Sequence, residues 1–206
     1  MTQVPEVDVQ RQWNSCHLDG SVEKANEEAI GYAKHLCAII RQFNPTNEVS
    51  ILDVGCRTGY AMDTMASILP AARIVGVDIV PEFVNAALQS QDEVLVASAD
   101  RLPFADGEFD WVFASHVVEH CVDMPTALYE IRRVARVGCY FAVPLEPASQ
   151  KFRESNPSHH WFIDDPLIWL QSFAAKALGM RLFFSQIIPP QNFNFAFVRW
   201  ELKELI

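Results

Sequence analysis

Three aspartates follow three successive apolar segments, and each could accept strong hydrogen bonds from a ligand. Asp53 lies in ILDVGCRTGY, Asp78 ends IVGVD, and Asp100 follows VLVASA. A carboxylate beside a glycine-bearing turn repels a pyrophosphate and attracts an ammonium group through charge-assisted hydrogen bonds. One at the end of a second strand can bind a ribose diol, and one after a third could accept from an adenine amino group. Singly, each aspartate would be an ordinary loop or cap residue, but together they predict a ligand with a cationic amino-acid end and a nucleoside.

The glycines around Asp53 have the wrong spacing for a dinucleotide. The phosphate-binding fingerprint is G-x-G-x-x-G, but Arg57 stands where the second glycine belongs and Tyr60 where the third would fall. A nicotinamide-dependent oxidoreductase is therefore disfavoured. The Arg57 side chain must leave the ligand's space, either towards solvent, which we favour slightly, or towards a carboxylate of the ligand.

Short apolar strands that alternate with helices must position these residues. Helices are predicted over Val22–Phe43, Tyr60–Leu69, Pro81–Gln89, Pro125–Val134 and about Pro166–Ala177. Strands are predicted over Val49–Val54, Arg73–Asp78, Val94–Ala97, Trp111–Ala114, Cys139–Val143, Arg181–Gln186 and Phe193–Trp200. The alternation indicates an α/β fold, doubly wound and Rossmann-like, around a mostly parallel sheet. Pro189-Pro190 favours an antiparallel pairing of the last two strands. We predict one domain over residues 1–206, with an N-terminal segment or lid (1–22) and a variable loop (145–163).

These motifs resemble class I S-adenosylmethionine-dependent methyltransferases, of the small single-domain kind found in ubiquinone biosynthesis and many natural-product pathways. ILDVGCRTGY resembles the family's first glycine loop, and IVGVDIVPEFV resembles its second-strand motif. ADRLPFADGEFDWVFASHVVEH and ALYEIRRVARVGCYFAVP resemble the stretches around the fourth and fifth strands. The likeness covers roughly Val49–Pro144 and implies seven strands, the last one antiparallel.

The resemblance also implies a cofactor, S-adenosyl-L-methionine, and a set of residues that bind it. In this sequence the set is Asp53, Gly55, Cys56, Gly59, Asp78, Ile79, Asp100, Arg101 and Ser115. The implied reaction is in-line transfer of a methyl group to a small-molecule acceptor, for which positioning is the protein's main contribution. The alternative is a non-catalytic protein that binds S-adenosylmethionine or S-adenosylhomocysteine.

Histidines are the candidates for a general base, which a hydroxyl acceptor would need. His116 would lie beneath the sulfonium, and His159 or His160 would reach in from the variable loop, although Trp161 could equally make that loop structural. His116 to His120 also spells H-x-x-E-H, a zinc-protease pattern. We disfavour that alternative because the segment leaves a strand end, and we expect no metal site. Aromatic residues of the variable loop hint faintly at a pocket for a small or lipid-like acceptor: Phe152, Trp161 and Phe162. Trp13 and His17 could belong to the lid.

The overall charge and the cysteines limit the partners and the compartment. The net charge of -10 disfavours nucleic acid, and the cluster of Arg132, Arg133 and Arg136 is interpreted as a solvated helix face. Five cysteines without CxxC spacing indicate a reducing compartment. With neither a signal peptide nor a membrane span predicted, we expect a cytoplasmic protein. The oligomeric state is not readable from the sequence.

Overall fold

The computed structural model describes residues 21–44, 48–144, 159–161, 181–188 and 192–198. Several predictions fall outside these ranges and stay predictions. They are the lid with Trp13 and His17, the loop residues 145–158 and 162–163 with Phe152 and Phe162, and the helix over Pro166–Ala177. Within the described ranges, every helix is too short or too polar to cross a membrane.

Five parallel strands form the body of the sheet. They are β1 (Ser50–Val54), β2 (Arg73–Asp78), β3 (Val94–Val96), β4 (Phe109–Ser115) and β5 (Ala135–Pro144). Their order is β3-β2-β1-β4-β5, with β1 at the centre and aligned so that Asp53 lies between Gly76 and Phe113. Beyond β5, the strands β6 (Arg181–Ile188) and β7 (Asn192–Val198) continue the sheet in the order β5-β7-β6, and β7 pairs antiparallel with both neighbours.

Helices cover both faces of the sheet. They are α1 (Ser21–Phe43), α2 (Tyr60–Ile68), α3 (Pro81–Ala87) and α4 (Met124–Val134), with one 3-10 turn at Val118–His120. Neighbouring residues of β1 point to opposite sides: Ile51 packs in the cluster that includes α1, α2 and α3, whereas Leu52 packs in the cluster that includes α4. This burial on both faces explains the nearly continuous apolar strands and confirms the predicted α/β class with a mostly parallel sheet.

The arginine cluster is not a solvated helix face, so that prediction is wrong. Helix α4 runs directly into β5, and Arg136 lies on the strand, where it pairs with Asp110. Arg133 is largely buried and donates to Glu130, to Asp106, and to the carbonyls of Leu102 and Phe104. Its planar fork ties the loop before β4 to α4.

Candidate functional site

The candidate site lies at the carboxyl ends of β1, β2 and β4. After β1 the chain forms β2 and β3 on one side of it in the sheet and then returns to form β4 on the other side. The strand order therefore reverses at β1. Such a switch point opens a crevice in which open α/β sheets bind ligands. The loop after β1, the aspartate that ends β2 and the residues after β4 all face this edge.

The loop after β1 alternates in backbone conformation. Gly55, Arg57 and Gly59 have φ values of 74°, 50° and 88°, which lie in the left-handed region that glycine adopts at little cost. The amides of Gly55 and Cys56 both donate to the carbonyl of Val77, at 2.8 and 3.0 Å. The loop is therefore bonded to the end of β2, directly before Asp78.

Asp53 presents a buried carboxylate at this edge. Its side chain is 2% exposed, and Oδ2 has no hydrogen-bond partner among the described residues. Burial raises the pKa of Asp53 well above its usual range, and the charge of Asp78 adds to the shift. A buried carboxylate oxygen without a partner is costly, so this position favours a cationic group from outside the chain.

Asp78 holds the start of α3 and the glycine loop together. Its Oδ2 accepts from the amide of Arg57 and its Oδ1 from the amide of Val80, both at 2.9 Å. Burial raises the pKa of Asp78, while these amides and the Arg57 guanidinium partly offset the shift. Each carboxylate oxygen can accept a second hydrogen bond, so the side chain retains capacity for a pair of ligand hydroxyls.

The favoured orientation of Arg57, towards solvent, is wrong. Its guanidinium lies 5.5 Å from the centre of the Phe83 ring, and Nη2 is buried without a hydrogen-bond partner in the described part of the chain. Burial lowers the pKa of Arg57, and the nearby Asp78 carboxylate opposes that shift. The side chain therefore occupies the α3 side of the crevice.

The other predicted cofactor residues differ in exposure. Cys56 is buried, with a pKa raised by desolvation and by the nearby Asp53 and Asp78. Ile79 and Ser115 are half-buried, which leaves surface to contact a ligand. Asp100 and Arg101 lie exposed in a turn after β3, where the amide of Arg101 donates to the carbonyl of Ser98 at 3.0 Å.

His116 lies in a second polar cluster, after β4. Its Nδ1 is 3.2 Å from Oε1 of Glu119, within ion-pair distance but not aligned as a hydrogen bond, and its Nε2 is 3.8 Å from Oε2 of Glu28. The ring of Tyr32, also on α1, lies 5.8 Å from the His116 ring. His116 has a φ of 54°, which is uncommon for a residue other than glycine and often accompanies a functional role.

Residues 159–161 pack against the 3-10 turn. The amides of His160 and Trp161 donate to the carbonyl of Glu119, at 2.9 and 3.1 Å, and the Trp161 indole donates to Cys121. The His159 ring lies edge-on to His120, with ring centres 4.5 Å apart. Burial lowers the pKa of His160, and His159 adds to the shift. The described contacts of His159 and His160 are thus with the turn after His116.

The geometry does not suit the zinc-protease alternative. That site needs both histidines of H-x-x-E-H on one face of an α-helix. Here His116 precedes a single 3-10 turn, Val118–His120, and its left-handed backbone is not helical. The described residues contain no group of side chains arranged to hold a metal ion.

Residues that the sequence patterns did not single out also belong to these clusters. Thr58 has a buried hydroxyl without a hydrogen-bond partner in the described ranges, like the neighbouring Asp53 and Arg57 atoms. Glu119 appeared only as part of a zinc motif, and Glu28 only as a helix residue. Thr58 could have been suspected from its place in the glycine loop, whereas nothing local in the sequence brings Glu28 to His116.

The part of the chain that forms the candidate site also matches known proteins. Residues 52–143 match a family model described as a methyltransferase domain. A demethylmenaquinone methyltransferase from Lactococcus lactis is 31% identical over 67% of this chain and 58% of its own length. A malonyl-acyl-carrier-protein O-methyltransferase from Legionella pneumophila is 33% identical over 49% of this chain. The chain spans only 38% of the length of that Legionella protein.

Solved structures have the same fold. The magnesium protoporphyrin IX methyltransferase of Synechocystis, solved with bound S-adenosylhomocysteine, superposes with a TM-score of 0.66 at 14% identity and covers 94% of each chain. At that identity the likeness concerns the fold alone, since one fold hosts many reactions.

Proposed function

We propose that this chain is a class I S-adenosylmethionine-dependent methyltransferase, which binds S-adenosylmethionine and transfers its methyl group to a small-molecule acceptor. One observation carries the proposal. Buried polar atoms of Asp53, near the end of β1, and of Arg57 and Thr58, in the loop that follows, have no hydrogen-bond partner in the described ranges. Such atoms are costly unless a ligand satisfies them.

The residues at the crevice fit the parts of this cofactor. Asp53 would hold the ammonium group of the methionine end, and Asp78 would accept from the ribose hydroxyls. Ile79 would pack against adenine, with Asp100 and Arg101 at its edge. The remaining proposed contacts line the methionine end and the sulfonium: Gly55, Cys56, Gly59, Ser115 and His116.

The chain's contribution to the reaction is mainly positioning. When bound, S-adenosylmethionine supplies a methyl carbon that takes a lone pair from the acceptor as the carbon–sulfur bond breaks, which leaves S-adenosylhomocysteine. The buried loop excludes water and fixes the direction of approach, which can be worth about 7–11 kcal/mol. His116, with His159 or His160, would take a proton from an acceptor that carries one.

Several broader features are part of the same proposal. The chain is a single methyltransferase domain with a seven-stranded sheet and an antiparallel last strand, supported by the pairing of β7 with β5. The proposal includes an N-terminal segment or lid over residues 1–22 and a variable acceptor-side loop over residues 145–163. The proposal includes a cytoplasmic location, with which the four described cysteines agree because they form no disulfide among the described residues: Cys37, Cys56, Cys121 and Cys139. A nucleic-acid acceptor is disfavoured by the net charge of -10.

Titration calorimetry with S-adenosylmethionine tests cofactor binding. Asp53→Asn and Asp78→Asn should each weaken binding by about 10- to 150-fold, the range for a hydrogen bond to a charged group. Asp92→Asn, at an exposed aspartate outside the crevice, should leave the dissociation constant within about twofold. Failure of the wild-type chain to bind the cofactor would contradict the proposal.

An acceptor panel tests turnover. Release of S-adenosylhomocysteine is followed over hydroxyl, amine and thiol compounds of small-molecule size. Release with one class identifies both the reaction and the acceptor atom. Tight cofactor binding with no release over the panel would favour the non-catalytic alternative.

A further inference from the structure

Glu119 is a buried carboxylate that is not among the proposed cofactor contacts. Its side chain is 1% exposed, and neither oxygen has a hydrogen-bond partner among the described residues. Removing a charge from water costs several kcal/mol unless a partner compensates. The compensating charge must come from the imidazoles beside it.

Two rings face the Glu119 carboxylate. Burial raises the pKa of Glu119, but His116 and His120 outweigh that effect and hold the pKa below its ordinary value. This coupling is reciprocal, because two sites that interact must shift each other by the same free energy. Glu119 must therefore favour the protonated form of a ring that it contacts, and Nδ1 of His116 is 3.2 Å away.

The His116 ring is oriented by more than this contact. The backbone amide of His116 donates to the carbonyl of Ala142 at 2.8 Å, which fixes the His116 backbone in its left-handed conformation. Nδ1 then lies near Glu119 in the 3-10 turn, and Nε2 lies near Glu28 on α1, whose Tyr32 ring is 5.8 Å from the imidazole. The two nitrogens of the ring thus face different elements.

We propose that Glu119 is a positioning residue: the charge of its buried carboxylate, 3.2 Å from Nδ1 of His116, stabilises the Nδ1–H form of the ring and leaves Nε2 as the base for a methyl acceptor that loses a proton. The inference rests on the proposed function. It selects acceptors with an O–H or N–H group.

The proton balance follows from the geometry. The acceptor gives its proton to Nε2 while its lone pair forms the new bond to the methyl carbon. The imidazolium that results is stabilised between Glu119 and Glu28, whose Oε2 is 3.8 Å from Nε2. Glu28 is partly exposed, so it can pass the proton on to water. Glu119 keeps its charge throughout, as the buried acid of a carboxylate–histidine pair does.

Nitrogen NMR of the full chain saturated with S-adenosylhomocysteine tests this inference without an acceptor. Long-range ¹⁵N–¹H spectra report which ring nitrogen carries the proton, and His116→Gln assigns the signals. In the wild-type chain the neutral His116 ring should be the Nδ1–H form. In Glu119→Gln, which keeps the shape and removes the charge, the titration midpoint of His116 should fall by about one pH unit or more. The matched control is Glu93→Gln, which removes an exposed ion pair with Arg73 and should leave His116 unchanged.

Three results would overturn the proposal. An Nε2–H ring in the wild-type chain overturns the proposal even if Glu119→Gln does not fold. So does an unchanged His116 midpoint in Glu119→Gln, or a shift confined to His120. Calorimetry on the same samples separates the two proposals. Absence of cofactor binding by the wild-type chain refutes the proposed methyltransferase function. Normal binding with an unchanged His116 titration midpoint in Glu119→Gln refutes only the role of Glu119.

Discussion

Alanine substitutions at three glycines separate backbone strain from steric conflict. A Cβ atom on Gly55 would lie 2.3 Å from Cγ2 of Val117, and its φ is 74°. On Gly59, with a φ of 88°, the nearest atom would be the Gln91 Cγ at 3.4 Å, an ordinary contact. On Gly31, inside α1, a Cβ atom would meet nothing within 4 Å.

The expected changes in the free energy of unfolding follow from these distances. Left-handed backbone costs an alanine about 1–2 kcal/mol, and overpacking adds about 1–3 kcal/mol. Gly55→Ala should therefore lose about 2–5 kcal/mol and Gly59→Ala only about 1–2 kcal/mol. Gly31→Ala should gain up to about 1 kcal/mol, because alanine is the better helix former.

Urea unfolding followed by circular dichroism measures all three variants, and the three samples need no ligand. The decisive quantity is the difference between Gly55→Ala and Gly59→Ala, which share the strain but not the clash. If the two lose the same free energy, the contact with Val117 is not limiting and the reasoning fails. A loss in Gly31→Ala would contradict the helical assignment of its surroundings.

Three further predictions concern charge. Because the pKa of Asp53 is raised, the empty site holds its carboxyl protonated up to that pKa; a cation needs the carboxylate, so cofactor affinity should rise with pH until the pKa is passed. Calorimetry over a pH series should show this rise in affinity in the wild-type chain and its loss in Asp53→Asn; a pH-independent affinity in the wild-type chain would refute it. Arg57→Gly removes left-handed strain but also a guanidinium whose buried Nη2 has no hydrogen-bond partner in the described ranges, so the cofactor dissociation constant should rise by about 10- to 150-fold. An unchanged dissociation constant would mean that the cofactor does not satisfy this nitrogen. Arg133→Lys should lower the free energy of unfolding by about 2–3 kcal/mol, because lysine lacks the fork that bonds four partners. An exposed helix control, Lys34→Ala, should change stability by no more than about 0.5 kcal/mol.

Local patterns predicted the centre of the fold well. The apolar run that contains Asp53 and the run IVGVD that ends at Asp78 each belong to one strand–turn–helix unit. Their periodicity therefore suffices to place Asp53 and Asp78 at one edge of the sheet. The limits of the strands were less predictable. Strand β5 begins at Ala135, before the predicted Cys139, because α4 passes into it without a loop that the sequence would mark.

Contacts between distant segments could not be predicted. The direction of Arg57 depends on Phe83 across the crevice, and the contact between Glu28 and His116 joins two elements far apart in the chain. Arg133 could not be distinguished from a solvent-exposed cation because two of its partners are the backbone carbonyls of Leu102 and Phe104. Residue type does not predict contacts with a backbone carbonyl. Such partners follow from how the elements pack.

Two amides of the loop after β1 share the carbonyl of Val77, and this bonding affects how the crevice binds a ligand. With two amides fixed to β2 and a third, that of Arg57, bonded to Asp78, the loop is already ordered before anything binds. The conformational entropy lost in shaping it is therefore a cost of folding, and none of it is subtracted from affinity. The site should act as a rigid template, in which the two ends of a ligand bind at a fixed separation.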